Sequence, residues 1–294
     1  MTIGNSIDGT FRRYALAAGL AAAMGLVPAA VNADDQAMVV PDTGTAAPDG
    51  FALTYDVYTG GLRAIRFDFG VDLGDPGYKT RIRLETSGIV GALFKWSLEA
   101  SSEGDWQDGI IVPRQYRSAN VWRGRQRQVA IEYDAGIADT VTAEPPYGAD
   151  DLKRVAPEMI SGAVDPTTAV TALVLTSAVA GACRARTPVY DGRRRYDANM
   201  SVLEPRELKP SSAAPFAGRA EGCRLTFERI AGFKPDRKRM QDLEVAIWLA
   251  DIGVASGRMP VRLELSTPWG DGFAHLVRAR TPDGTLVFGE ADDE

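Results

Sequence analysis

Hydrophobic and polar residues alternate strictly over several stretches of this chain. From Phe51 to Val57 every second residue is apolar. Between Ile65 and Leu73 the odd-numbered residues are again apolar, while arginine, aspartate and glycine occupy the even-numbered positions. A period of two places one set of side chains on each face of a β-strand. The pattern therefore predicts half-buried strands.

Similar segments recur along the rest of the chain. They cover residues 78–84, 110–118, 126–133, 243–250, 261–266, 273–279 and 285–288. Successive strands with one apolar face, joined by turns, are typical of antiparallel sheets, because a parallel sheet would alternate strands with helices. We therefore expect an all-β, mainly antiparallel fold in a single domain, residues 50–294.

Two segments depart from this alternation and predict helices. Residues 87–96 form a short apolar run without period two, which is compatible with a short helix. The stronger signal begins at Asp165, which can cap a helix, and continues with Pro166 at the first helical position. An apolar stretch, residues 167–179, follows. Because the stretch contains β-branched residues, a partly extended conformation is the alternative.

The first 33 residues resemble an export signal. Arg12 and Arg13 precede a weakly apolar run, residues 14–27, and the small residues before position 34 fit a cleavage site after Ala33. We expect a signal peptide, residues 1–33, and a flexible polar leader, residues 34–49. An uncleaved anchor is the alternative. The ordinary secretion route and twin-arginine export both remain open. After cleavage, we do not expect an integral membrane protein.

The charge balance argues against one class of partner. The chain contains 33 Lys and Arg against 39 Asp and Glu, which gives a formal net charge of −6. Non-specific nucleic-acid binding requires a basic surface that releases counterions. We therefore expect no nucleic-acid partner.

Only two cysteines are present, Cys183 and Cys223. An even cysteine count in an exported chain favours a disulfide, because the compartment outside the inner membrane is oxidising. Two buried free thiols are the alternative. In a simple meander the two cysteines would lie on strands separated by a third, too far apart for a bridge. A disulfide therefore requires the chain to depart from a meander.

The segment YDGRRRYD, residues 190–197, concentrates arginine next to a turn signal. Asp191 and Gly192 both tolerate positive φ, which predicts a two-residue hairpin loop. In that register Arg186 faces Asp197 across the ladder on a solvated face, and Arg194 lies on the apolar face. Arg194 then has either a structural role or an anion-binding role. The candidate ligand-binding residues are Tyr190, Arg193, Arg194, Arg195 and Tyr196.

Four segments, in order, carry a family resemblance: TYDVYTGGLRAIRFDFGVDL, DPTTA, YDGRRRYD and CRLTFERIAGFK. Together they resemble the exported family called domain of unknown function 3108. The resemblance implies a curved, spiral-like or open-barrel antiparallel sheet with one or two short helices, somewhat like periplasmic lipoprotein carriers. It also implies a location in the periplasm of a Gram-negative envelope. It implies no established reaction and no catalytic residues.

Catalytic and cofactor motifs are sparse. The single histidine, His275, lies beside apolar residues, and phosphate-binding glycine loops and serine nucleophile motifs do not occur. We predict no cofactor, no metal site and no catalytic residues. The leading hypothesis is a non-catalytic cell-envelope protein whose curved sheet binds a lipid or other amphiphile, a glycan or an envelope protein. The alternative is a cell-wall glycan hydrolase with a carboxylate pair, which a sequence alone does not reveal.

Overall fold

A computed structural model describes residues 50–74, 77–107, 110–147, 155–178, 183–233, 243–254, 257–267 and 270–288. The expected signal peptide, residues 1–33, and leader, residues 34–49, lie outside these ranges. The described part contains fourteen strands in one antiparallel sheet and two α-helices. The predicted all-β class is therefore confirmed.

Short turns join several consecutive strands, whereas a long connection that contains α2 joins β7 to β8. Their bounds are β1 Gly50–Thr59, β2 Leu62–Gly74, β3 Gly77–Thr86, β4 Trp96–Gln107, β5 Ile110–Trp122, β6 Arg125–Asp134, β7 Ile137–Glu144, β8 Ala185–Tyr190, β9 Arg195–Leu208, β10 Gly218–Ala231, β11 Glu244–Asp251, β12 Arg258–Thr267, β13 Gly270–Thr281 and β14 Gly284–Val287.

The strand order is not a simple meander. The sheet runs β7-β6-β5-β4-β3-β2-β1-β13-β12-β11-β10-β9-β8, and β14 adds to β13. The first and last thirds of the chain therefore meet where β1 pairs with β13, with Asp56 opposite His275. The sheet is open, with β7 and β8 at its ends.

The predicted alternation sets the faces of the strands. In β3, Tyr78, Thr80, Ile82 and Leu84 are buried, while the residues between them are exposed. Leu53 in β1 is likewise buried, and Phe69 opposite it in β2 is also buried. This shared face forms the main hydrophobic core. Period two therefore identified the concave side of the sheet correctly.

Both predicted helices are present. The first, α1, covers Gly88–Leu93. The second, α2, covers Pro166–Ala178, directly after the predicted cap Asp165. The helix α2 contacts β3, β4, β5, β8 and β12, which belong to both halves of the sheet. The sheet therefore curls around α2.

The segment YDGRRRYD, residues 190–197, forms the turn of a hairpin, the arginine hairpin, but the register predicted for it is wrong. Tyr190 pairs with Arg195, so the loop has four residues instead of two. The Asp191 carboxylate accepts hydrogen bonds from the backbone N–H groups of Arg193 and Arg194, at 2.9 and 2.6 Å. Gly192 supplies a positive φ of 85°. This side-chain bonding stabilises a wider turn than the Asp-Gly pair alone indicates.

The predicted solvated face of this hairpin is also wrong. The shift of two residues keeps each side chain on its predicted face, but Tyr190, Arg195 and Asp197 are buried. The reason is an additional layer of chain. Val164 forms a parallel bridge with Val189, and the segment that precedes Val164 covers the hairpin. The predicted ion pair of Arg186 with Asp197 is present, although Asn199 is the residue directly opposite Arg186.

The predicted disulfide joins Cys183 and Cys223, with their Cα atoms 5.2 Å apart. Cys223 lies in β10, separated from β8 by β9. Because β8 begins only at Ala185, Cys183 lies outside the ladder and reaches Cys223 over β9. Strands β8, β9 and β10 form a simple meander, so the expectation that a bridge requires a departure from a meander is wrong.

Candidate functional site

A cavity of 210 Å³ lies between α2 and the concave face of the sheet. Its wall is formed by residues from α2 and from nine of the fourteen strands. Six representative residues are Leu53, Phe67, Val170, Leu173, Tyr196 and Phe273. Nearly all the lining side chains are aliphatic or aromatic, so the cavity suits a hydrocarbon group rather than a sugar.

Hydrogen bonds fix the position of α2 beside this cavity. The Asp165 carboxylate accepts bonds from the N–H groups of Thr167 and Thr168, both at 2.9 Å, and therefore caps the helix. It also accepts a bond from the Ser102 hydroxyl of β4, at 2.5 Å. Thr171 and Thr80 share a further bond of 2.8 Å. These polar contacts hold a largely apolar helix in one orientation.

Asp165 is completely buried. Burial raises the pKa of this carboxyl group, and the hydrogen bonds from Ser102 and Thr168 oppose that rise. Burial likewise raises the pKa of the Asp191 carboxyl group, and the positive charge of Arg194 opposes that rise. Both carboxylates are engaged in fixing local structure, Asp165 at the helix cap and Asp191 in the hairpin turn. A carboxylate-based hydrolase remains a prediction.

A second cavity, the polar cavity, has a volume of 330 Å³ and lies at the turn of the arginine hairpin. Its charged lining residues are Arg127, Glu144, Asp191, Arg193 and Arg194. The uncharged polar side chains are those of Ser118, Asn120, Gln128 and Tyr147, and apolar residues such as Leu98, Val129 and Pro145 complete the wall. Three guanidinium groups against two carboxylates leave an excess of one positive charge. Ring contacts orient two of these arginines: Arg193 lies 5.5 Å from the Tyr147 ring and Arg194 lies 5.8 Å from the Phe233 ring.

The five candidate ligand-binding residues separate into four environments. Arg193 and Arg194 line the polar cavity, and Tyr196 lines the apolar cavity. Tyr190 packs in a hydrophobic cluster with Tyr116 and Ile131.

Arg195 lies in a buried ion pair with Asp197 and donates further hydrogen bonds to the backbone oxygens of Met159 and Tyr196. These interactions give Arg195 a structural environment. The structure therefore brings Arg193 and Arg194 together in one cavity and places Tyr190, Arg195 and Tyr196 in other environments.

Several lining residues of the polar cavity were not predicted. Asn120, Arg127 and Tyr147 come from the β5–β7 end of the chain's first half and meet the hairpin only because the sheet curls. In the sequence, Arg123, Arg125 and Arg127 alternate with other residues, a pattern that is more typical of a solvated strand face than of a binding site. Arg123 itself lies in the turn between β5 and β6, with a positive φ of 49°.

His275 packs between aromatic rings. Its ring stacks with that of Phe273 at 6.3 Å and lies 5.9 Å from that of Tyr58. Burial, followed by the positive charge of Arg262, lowers the pKa of His275 to about 4. His275 is therefore neutral and packed at neutral pH.

The fold and its cavities define a class: an open, barrel-like antiparallel sheet that encloses one helix and an apolar cavity. The family model described as "Protein of unknown function (DUF3108)" matches residues 54–277, and the chain belongs to this family. No curated protein matches the sequence. Among the described residues, no helix has the length and apolar character that crossing a membrane requires.

A comparison with solved structures gives two matches to this chain. One is a β-barrel-like protein of the domain of unknown function DUF1849 from Brucella abortus, with a TM-score of 0.44 and 10% identity, covering 82% of this chain and 99% of its own. The other is a hypothetical protein from Chlamydia trachomatis, with a TM-score of 0.30 and 7% identity, covering 85% of this chain and 92% of its own.

Proposed function

We propose that this protein is a non-catalytic periplasmic protein of the Gram-negative envelope that binds the hydrocarbon part of an amphiphile in its apolar cavity. The observation that carries the proposal is the cavity of 210 Å³ that remains beside α2. Apolar protein cavities of about 150 Å³ are known to stay dry and to bind benzene or xenon. A cavity of this size and lining therefore accommodates part of an alkyl chain.

The position of α2 discriminates between the expected ligand classes. A helix that filled the concave face completely would leave no space for a lipid and would favour a protein partner. Instead, small side chains such as Ala169 and Ala198 line the cavity, and they leave space between α2 and β9. A glycan requires many hydrogen-bonding groups, whereas this wall offers few. The apolar lining supports an amphiphile over a glycan.

The proposed location rests on covalent chemistry and on the N-terminal sequence. A disulfide between Cys183 and Cys223 is compatible with an oxidising compartment such as the periplasm. The arginine pair and apolar run of residues 1–33 have the pattern of a cleaved export signal. Mass measurement of the protein recovered from a periplasmic extract tests both points, and a mature chain beginning at Asp34 is expected. Retention of residues 1–33 in the cytoplasm would contradict the proposed location.

Native mass spectrometry of gently purified periplasmic protein, followed by solvent extraction, tests the ligand. We expect a bound lipid mass that organic solvent removes. Ala169→Leu places three more carbon atoms in the cavity and should reduce lipid occupancy at least about tenfold, because close-packed interiors tolerate little extra volume. Ala92→Leu is the matched control, since Ala92 is exposed on α1.

The alternatives give different results in this experiment. A mass without lipid, and no change on adding decanol to the purified protein, would refute amphiphile binding and direct attention to an envelope protein partner. A co-purifying carbohydrate mass would favour a glycan. Equal lipid occupancy in Ala169→Leu and in the wild type would place the lipid outside the apolar cavity.

A further inference from the structure

The apolar cavity and the polar cavity are neighbours. Pro166, the first residue of α2, lines both of them. The hydrocarbon wall on one side of Pro166 thus gives way to arginine, amide and hydroxyl groups on the other side. One ligand with a hydrocarbon chain and a polar headgroup matches this change in lining.

Tyr196 carries a buried hydroxyl beside the apolar cavity. Its ring contributes to the apolar wall and lies 6.2 Å from the ring of Phe227. Within the described ranges, its hydroxyl has no hydrogen-bond partner. Burial raises the pKa of Tyr196.

A buried hydroxyl without a partner is unfavourable, because it has lost its hydrogen bonds to water. A ligand oxygen that accepts a hydrogen bond from Tyr196 would remove this cost. The polar cavity holds the guanidinium groups of Arg127, Arg193 and Arg194, which outnumber the carboxylates of Glu144 and Asp191 by one. Arg194 lies 3.6 Å from the Asp191 carboxylate, and the guanidinium groups of Arg193 and Arg194 lie against the Tyr147 and Phe233 rings. Arginine recognises planar oxyanions through several in-plane N–H groups.

We infer that the ligand is an anionic amphiphile, with an alkyl chain in the apolar cavity and an oxyanion headgroup, carboxylate or phosphate, held by Arg193 and Arg194 of the polar cavity and by the Tyr196 hydroxyl. This inference rests on the proposed function and specifies its ligand class. Arginine forms charge-assisted, often bidentate hydrogen bonds with both kinds of oxyanion. The hydrocarbon chain contributes affinity, and the headgroup contributes specificity.

Calorimetric titration with decanoate, decyl phosphate and decan-1-ol tests the inference, because these probes share one alkyl chain. We expect both anions to bind about tenfold or more tightly than the alcohol. A higher affinity for decyl phosphate or for decanoate identifies the preferred oxyanion. Equal affinity for all three probes would overturn the headgroup site and leave the apolar cavity in place. Binding of none of them would refute both proposals.

Variants locate the headgroup. The double variant Arg193→Gln/Arg194→Gln should lose the preference for the anions and keep the affinity for decan-1-ol. Its matched control is Arg184→Gln/Arg219→Gln, which removes two exposed arginines and an equal charge. If both double variants weaken anion binding equally, the effect reflects net charge and the inference is wrong.

Tyr196→Phe provides a test that does not depend on the hairpin charges. The variant keeps the ring that lines the apolar cavity and removes the unpartnered hydroxyl, so folding should be retained. We expect decanoate affinity to fall about fivefold or more, in line with loss of one hydrogen bond to a charged group, and decan-1-ol affinity to change less. Unchanged decanoate affinity would exclude Tyr196 from the headgroup site.

Discussion

The hydroxyl oxygens of Tyr78 in β3 and Thr168 in α2 lie 2.6 Å apart in the buried interior. Thr168 also donates to Asp165 at 2.6 Å, so one chain of hydrogen bonds runs from the sheet to the helix cap. This connection joins residues 90 positions apart in sequence. It fixes α2 at a distance from the sheet that leaves the apolar cavity beside it.

The Tyr78–Thr168 bond should contribute measurably to stability. Tyr78→Phe should reduce the free energy of unfolding by about 1–2 kcal/mol, because Thr168 loses a buried partner. A double-mutant cycle with Thr168→Val, measured by urea unfolding, should give a coupling energy of about 1 kcal/mol. Additive effects of the two substitutions would show that the bond contributes nothing.

Asp165 should be important for the helix. Asp165→Ala removes the cap and leaves buried donors of Ser102 and Thr168 without an acceptor. We expect a loss of about 3 kcal/mol in urea unfolding. Asp165→Asn keeps one acceptor oxygen and should lose less. A loss below about 0.5 kcal/mol in the alanine variant would contradict the assigned role.

The stability contributed by Asp165 should depend on pH in a defined direction. Burial raises its pKa in the folded state, so the folded protein binds more protons than the unfolded chain above the ordinary aspartate pKa of about 3.9. Wild-type stability relative to Asp165→Asn should therefore decrease as the pH rises from about 4, until the folded-state pKa is passed. An advantage that grows over that interval would refute the raised pKa.

His275 should titrate at an unusually acidic pH. As the only histidine, it gives one imidazole signal in NMR spectra, and we expect its midpoint at about pH 4. The unfolded chain takes up this proton near pH 6.5, so its contribution to stability is present above about 6.5 and lost as the pH falls to about 4. His275→Gln should abolish this part of the pH dependence. A titration midpoint near 6.5 would contradict burial of the ring.

The disulfide should stabilise the fold substantially. The bridge joins two cysteines that are 40 residues apart in the sequence. The chain-entropy relation gives a stabilisation of about 4 kcal/mol for a loop of that length. Replacing both cysteines by serine should lower the free energy of unfolding by about 2–4 kcal/mol. The wild type treated with a reducing agent should behave like the variant. Recovery of two free thiols from the oxidised protein would refute the bridge.

Local sequence signals determined the secondary structure. Strict alternation in β2 and β3 predicted which side chains are buried, because successive residues of any strand point to opposite faces. Asp165 and Pro166 marked the start of α2 because capping depends on neighbouring backbone groups. The Asp191-Gly192 pair predicted the hairpin because turn formation also depends on neighbouring residues. Its register was wrong, since the Asp191 side chain stabilises a four-residue turn.

Only the tertiary structure decided how these elements enclose a site. The curl of the sheet brings Arg127 of β6 to Arg193 and Arg194, although the hairpin lies far along the chain from β6. The segment before α2 covers the hairpin and thereby buries Arg195 beside Asp197. No periodicity in the sequence specifies such contacts, because they depend on strand order and sheet curvature. The sequence by itself determined the strands, their faces and the helix start, whereas packing between distant segments decided the cavities.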